Sequence, residues 1–235
     1  MKRKDFIRYT GMMGLGSLIV PQMPAFGRSI DPAEALQGVD AALKRELADV
    51  ALNAAKSKGA TYADVRIGRY LRQFVATRDK KVQGVSNTEN YGIGIRVLAN
   101  GSWGFAATHV VTKDAIAKAA EQAVAVAKAN AKIQGEPVQL APQKGYGEVS
   151  WKAPIEINAF EVPIKEKVDL LMEVNNAAIQ GGATFVNAMI SAVNEQKYFA
   201  STDGSYIDQD IHRIFPMFSV TKIDRASGKF MSRGS

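Results

Sequence analysis

From Tyr62 to Thr108 the apolar residues stop recurring at helical spacing and begin to alternate. That switch constrains the fold more than any other feature of the chain. Asp64-Val65-Arg66-Ile67-Gly68 and Ile93-Gly94-Ile95-Arg96-Val97-Leu98 read as strands with one buried and one polar face. Arg78-Asp79-Lys80 and Ala99-Asn100-Gly101 supply the turns. Asn-Gly suits a hairpin that needs positive φ at two successive residues, so Asn100-Gly101 predicts a tight link from Val97-Leu98 to Trp103-Phe105. Antiparallel strands of this kind leave one face to water and need helices for the other.

The helices are legible on either side. Leu43, Leu47, Val50, Ala51 and Ala54 recur at helical spacing, and Gly59 stands where a C-cap belongs. Thr112 is placed to cap a helix running to about Lys132, whose Ile116, Ala119, Ala120, Ala123, Val124 and Ala127 form a flat face for close packing on strands. Residues 133–162 are rich in Gly, Pro and Gln and read as an extended linker. Pro163 then opens a helix through Val168, Leu171, Val174 and Ala178, ended by Gly181-Gly182, and strands follow from Thr184. At an offset of 124, Leu47, Val50 and Ala54 fall on Leu171, Val174 and Ala178, while Phe74-Val75-Ala76-Thr77 falls on Tyr198-Phe199-Ala200-Ser201. The expected class is therefore α+β: two similar helix-plus-antiparallel-sheet units, 28–132 and 163–235, with long amphipathic helices packed on the sheets. The second unit reads as truncated at its C-terminus.

Residues 1–27 have a basic start, an apolar stretch from Gly11 to Val20 too short to span a bilayer, and a small-residue close at Ala25-Phe26-Gly27. This is the layout of a signal peptide. Arg3-Lys4-Asp5-Phe6-Ile7-Arg8 resembles a twin-arginine motif with Lys4 at the second arginine. An exported, periplasmic protein with no membrane contact beyond the leader is expected; a further Asp31-Pro32-Ala33-Glu34 helix start follows the leader.

Much of the formal net charge of +7 belongs to Lys2, Arg3, Lys4 and Arg8 of the leader. The remaining bases are interleaved with acids, as in Lys165-Glu166-Lys167, which argues against a nucleic-acid partner. The chain has no cysteine and only two histidines, His109 and His212, neither followed by Glu nor joined by a second His at helical spacing. No zincin-type site can be written. Ser201, Asp203 and His212 lack the flanking signature of a hydrolase triad. Gly92, Gly94, Gly101 and Gly104 lie within and between strands rather than before a helix, so their role is to admit a close neighbour rather than to cradle phosphate. Asp203-Gly204 reads as a turn and Asn87-Thr88-Glu89-Asn90 as a polar loop tip. No catalytic, cofactor-binding or metal-binding residue is assigned.

Ala63-Asp64-Val65-Arg66, then Val85-Ser86, then Tyr91-Gly92-Ile93-Gly94-Ile95-Arg96-Val97-Leu98-Ala99-Asn100-Gly101-Ser102-Trp103-Gly104-Phe105-Ala106 resembles the amino-terminal domain of the TldD/PmbA family. Ala200-Ser201-Thr202-Asp203-Gly204 is similar to that family's second strand block. The resemblance implies a zinc-dependent peptidase of paired subunits that takes in unstructured peptides and was also described as modulating DNA gyrase. In that family a helix with a His-Glu-x-x-x-His type motif lies beyond the matched region. The expectation is a non-catalytic fragment that helps to bind and admit peptides, with zinc only in a missing C-terminal half or a partner subunit. The alternative is a free-standing module pairing with a full-length homologue. Familiar members are cytoplasmic, which sets the leader against the resemblance.

Overall fold

The computed structural model describes residues 41–235; the leader and the Asp31 helix start lie outside the described residues. Among the described residues, three helices and seven strands follow in the order α1 (Ala41–Ser57), β1 (Tyr62–Arg78), β2 (Lys81–Ala99), β3 (Ser102–Thr108), α2 (Lys113–Asn130), β4 (Gly147–Lys152), α3 (Ile164–Gln180), β5 (Phe185–Ser201), β6 (Ser205–Ile223) and β7 (Phe230–Gly234). The local signals act as their chemistry dictates. Gly59 and Gly182 end α1 and α3 at φ of +93° and +90°. The Thr112 hydroxyl accepts the Ala115 N–H at 3.3 Å. Asn100 and Gly101 take φ of +52° and +75° between β2 and β3, and Asp79 and Lys80, also at positive φ, turn β1 into β2.

All strands join one sheet in the order β3-β2-β1-β5-β6, with β4 and β7 sharing the outer edge of β6. β4 pairs in parallel with Ser205–Asp210, and β7 antiparallel with Ser219–Ile223. The stretch 133–162 is thus mostly irregular, yet it contributes β4, and it inserts Phe160 against Leu71 and Ala192. Asn87 to Asn90, expected at a loop tip, lie inside β2 opposite Tyr70 to Gln73. They are polar because β3 covers β2 only from Ile93 onward, which leaves this part of the strand at a free edge.

The two units are copies that share one ladder. α1 and α3 each have 17 residues, β1 and β5 have 17, and β2 and β6 have 19. The true offset is 123, from Ala41 to Ile164 and from Tyr62 to Phe185. An offset of 124 would move every strand residue to the opposite face. β1 and β5 pair antiparallel from Asp64–Ser201 to Arg78–Asn187, and the counterparts Leu71 and Asn194 face each other at the centre. A pseudo-twofold axis therefore passes through that pair. It also relates two turn clamps. The Asp79 N–H donates to the Val186 carbonyl while the Val186 N–H donates to the Asp79 carboxylate, at 3.0 and 2.8 Å. Thr202 and Ala63 repeat this at 2.9 and 3.1 Å.

All three helices cover one face of the sheet. Val65, Ile67, Ile95 and Val97 meet α1 and α2 in the main core, while Val75, Ala188 and Ile190 meet Leu171 of α3. Each fully buried aliphatic side chain contributes about 1.5–3 kcal/mol. α2 sits so low on β3 that a Cβ on Gly104 would lie 2.0 Å from the Ala123 carbonyl oxygen and 2.6 Å from the Ala127 N–H nitrogen. Backbone cannot yield there as a side chain could. Gly104→Val is expected to destabilise the chain by about 3 kcal/mol or more, read as a lowered midpoint in chemical denaturation.

Candidate functional site

Because the described helices lie on one side, no described element covers the other face of the long strands. Along β1 the residues alternate between buried Val65, Ile67, Arg69, Leu71, Gln73 and Val75 and outward Arg66, Gly68, Tyr70, Arg72, Phe74 and Ala76. Cross-strand register assembles the open face in rows. Gly92, Gly68, Lys197 and Gln209 form one; Asn90, Tyr70, Glu195 and Ile211 the next; then Thr88, Arg72, Val193 and Arg213, followed by Ser86, Phe74, Ser191 and Phe215. Arg66, Arg72, Arg78, Arg96, Lys197 and Arg213 face out against Asp64 and Glu195, so the face is cationic with an apolar stripe of Phe74, Phe215, Met189 and Met217.

Two polar clusters stiffen this surface. At the end near β3, fully buried Asp64 is held by Arg96, with Nη2 at 2.7 Å, and by Arg66 at 3.2 Å. Arg96 lies 4.7 Å over the Trp103 ring, and Trp103 meets Tyr62 edge-on at 5.9 Å. Burial works against the Arg96 charge, but the hydrogen bond and field of Asp64 outweigh it and raise its pKa. Burial and then Asp64 push the Tyr62 phenol up. At the centre, Glu195 accepts from Arg213 and, at 2.9 Å, from the Tyr70 hydroxyl. Burial pushes the Glu195 carboxyl up, yet these donors prevail and hold it below the ordinary value. Between the clusters, paired Gly68 and Gly92 floor a depression of about 370 Å³ edged by Arg66, Tyr70, Asn90 and Lys197.

The helix-covered face has its own polar band between α1/α2 and α3. Lys44 of α1 reaches Asp208 at 2.8 Å, and its counterpart Lys167 of α3 donates to Gln73 and the Ala159 carbonyl. Burial pushes the Lys167 ammonium down. His212 faces this band, 3.3 Å from Asp210 and 3.0 Å from the Asn194 amide. Ser201 aligns with Asp64 and His212 with Asn194, seven residues away along β5 and on the other face. About 23 Å of strand separates them, so no triad forms. His109 lies just beyond β3 and is exposed, and Asp203-Gly204 is the β5–β6 turn with Gly204 at φ +87°. Among the described residues no three His, Cys, Asp or Glu side chains converge as metal ligands, and no helix is long and apolar enough to cross a membrane. Asp64, Glu195, Arg213 and the buried lysines were not singled out by sequence reasoning. The signal for Asp64 was a carboxylate alternating between core positions with arginines two residues on and across the hairpin.

Residues 63–127 match the first domain of the PmbA/TldA metallopeptidases. Over this segment the chain is similar to the amino-terminal domain of the TldD/PmbA family. It is 25% identical over 152 residues to a metalloprotease of Methanocaldococcus jannaschii, a match that covers 65% of this chain and 34% of that protein. A metalloprotease of Methanothermobacter thermautotrophicus is 28% identical over 172 residues, covering 72% of this chain and 36% of its own length. The chain thus spans about a third of the curated relatives it matches. In fold it is similar to the crystal structure of a candidate modulator of DNA gyrase from Thermotoga maritima, with a TM-score of 0.62 at 17% identity over 81% of this chain and 42% of that one. The α+β class expected from the sequence, with helices packed on an antiparallel sheet, is the one found, and it matches the fold of that neighbour.

The central cluster sets a pH dependence. A carboxyl held below its ordinary value contributes stability that is complete above about pH 4.3 and lost as pH falls through the lowered value. Arg213→Gln is therefore expected to lower the denaturation midpoint at pH 7, and the gap from the parent chain should close in acid. A gap that persists unchanged at pH 2 would show that Glu195 is not its source.

Proposed function

We propose that this chain is the non-catalytic amino-terminal part of a TldD/PmbA-type metallopeptidase and that the open face of its sheet receives unstructured peptides. The uncovered strand surface carries the reading. It alternates cationic and apolar rows and offers a glycine-floored depression, which suits an extended peptide with apolar and acidic side chains. The free edge of β6 between β4 and β7 adds unpaired backbone at His212 and Ile214, while Pro216 removes one donor and limits pairing there. The described residues do not fit zinc, so hydrolysis is assigned to a metal centre in a further segment or in a homologous partner subunit, and no step through the metal is derived for this chain. The basic and apolar leader adds export to the proposal, which would place the face among peptides outside the cytoplasm.

Binding of a fluorescent, unstructured peptide rich in Glu and Leu to the full chain tests this reading. Arg72→Glu with Arg213→Glu is expected to weaken binding at least tenfold, and salt to weaken it progressively. The chain alone should leave the peptide intact. Peptide turnover by the purified chain would overturn the non-catalytic assignment. Failure to bind, together with a stable complex with a full-length homologue, would replace it with the interaction-module reading.

A further inference from the structure

The internal twofold makes Lys44 of α1 the counterpart of Lys167 of α3, and Gln196 of β5 the counterpart of Gln73 of β1. In the copy that holds α3, the Lys167 ammonium donates to Gln73 Oε1. In the copy that holds α1 the same geometry would bring Lys44 to Gln196, but both oxygens of Asp208 draw its ammonium away, at 2.8 and 3.1 Å. The counterpart of Asp208 is Val85, which offers a lysine nothing. Gln196 is thus left without the cation that its counterpart has. It is 8% exposed, and its Oε1 accepts from no described residue. A buried acceptor without a donor is rare in a folded chain.

The neighbouring hydrogen bonds fix which end of the amide is unpaired. Ionised Asp210 can only accept, so Asn194 turns its NH2 to Asp210 Oδ1 and its oxygen to Gln196, whose own NH2 donates there at 3.2 Å. Oε1 is the end that is left. Gln196 borders a cavity of about 300 Å³ together with Lys44, Ser150, Lys152, Asp208 and Asp210. Lys44 and Asp208 cancel each other's charge, Arg69 beside Gln196 on β1 is matched by Glu89, and exposed Lys152 can turn its head to solvent. Asp210, with His212 at 3.3 Å, is then the charge that faces Gln196 across the β5–β6 ladder. An amide oxygen beside one carboxylate is too little for a metal ion but suits a single ammonium group. Residues 29–40, which precede Ala41 at the edge of the cavity, contain no lysine or arginine to supply one.

We propose that this cavity binds the ammonium group of a small primary amine, seated against Gln196 Oε1 and Asp210 as Lys167 is seated against Gln73. The site lies on the helix-covered face, so its failure would leave peptide capture on the open face untouched.

The full chain is titrated at constant ionic strength with n-butylammonium, and the side-chain NH2 resonances of Gln196 and Asn194 are followed by NMR. They are expected to shift saturably, with a dissociation constant on the order of 1 mM for a ligand of so few atoms. Tetramethylammonium, which has no N–H to donate, should leave them in place. Alanyl-alanine amide distinguishes the sources of the amine: binding tighter than n-butylammonium assigns the site to peptide amino termini, and weaker binding assigns it to free alkylamines. Gln196→Leu, read at Asn194, and Asp210→Asn should each weaken binding at least tenfold. Asp208→Val should release Lys44 to fill the site and abolish binding, and adding Lys44→Met should restore it, which a misfolded chain could not do. No saturable shift, an equal response to tetramethylammonium, or unchanged affinity in the Asp208→Val chain would overturn the proposal.

Discussion

The antiparallel ladder between β1 and β5 is the contact on which the architecture depends. The first half sets two helices on three strands and the second one helix on a long hairpin, and each draws on the other for its core: Tyr198 and Ala200 of β5 join the main cluster, and Val75 of β1 joins that under α3. Pairing along fifteen consecutive positions places α1 and α3 at opposite ends of one face, each over its own apolar cluster. The clamps at Asp79–Val186 and Thr202–Ala63 lie at the two ends of that ladder, where fraying would begin. They use different side chains, carboxylate and hydroxyl, for the same pair of hydrogen bonds. The geometry has been kept while the residues have diverged.

Placing the helices at the ends has a cost in the middle. The central helix-side positions, from Arg69 and Gln73 to Asn194 and Gln196, fall between α1/α2 and α3 and are buried without being apolar. Arg69 is answered by the Glu89 carboxylate at 2.5 Å, whereas Lys167 meets the neutral acceptors Gln73 and the Ala159 carbonyl, and burial pushes its ammonium down. The symmetry persists in chemical form: Lys44 and Lys167 are counterparts, as are Gln73 and Gln196. Each lysine stem packs over the sheet while its head reaches the polar band.

Local chemistry made the elements legible, and tertiary geometry hid what joined them. Asn100-Gly101, Thr112, Pro163 and Gly182 each act through their own backbone preferences, so the boundaries they mark could be read directly. Asn87 to Asn90 could not, because nothing local distinguishes a polar loop from a polar strand at a free edge. The bulge at Ala76–Thr77 is the decisive hidden feature. Counting back from the Asp79-Lys80 turn aligns Asp64 with Ile95, whereas the bulge brings it to Arg96. A one-residue slip thus separates a buried carboxylate with no partner from the ion pair that anchors the open face. An offset of 124 carries the same one-residue error, since the paired helices and the β1–β5 strands alike repeat at 123.

The glycines finally distinguish the two faces of the sheet by what each approach demands. Gly104 is required by a helix already in place, since backbone atoms fill the space of its missing side chain. Gly92, Gly68 and Gly94 on the open face meet no such backbone. A Cβ at Gly92 would find only the Thr108 carbonyl oxygen, at 3.9 Å, and those at Gly68 and Gly94 would touch the rings of Tyr70 and Phe105, at 3.2 Å. Glycine in a strand weakens it, so three clustered where packing does not ask for them leave a local loss of stability with no internal return. A trough floored by main chain, walled by aromatic rings and edged by Arg66 and Lys197 is the arrangement in which that loss becomes useful, because an extended chain can lie closer there than side chains would allow.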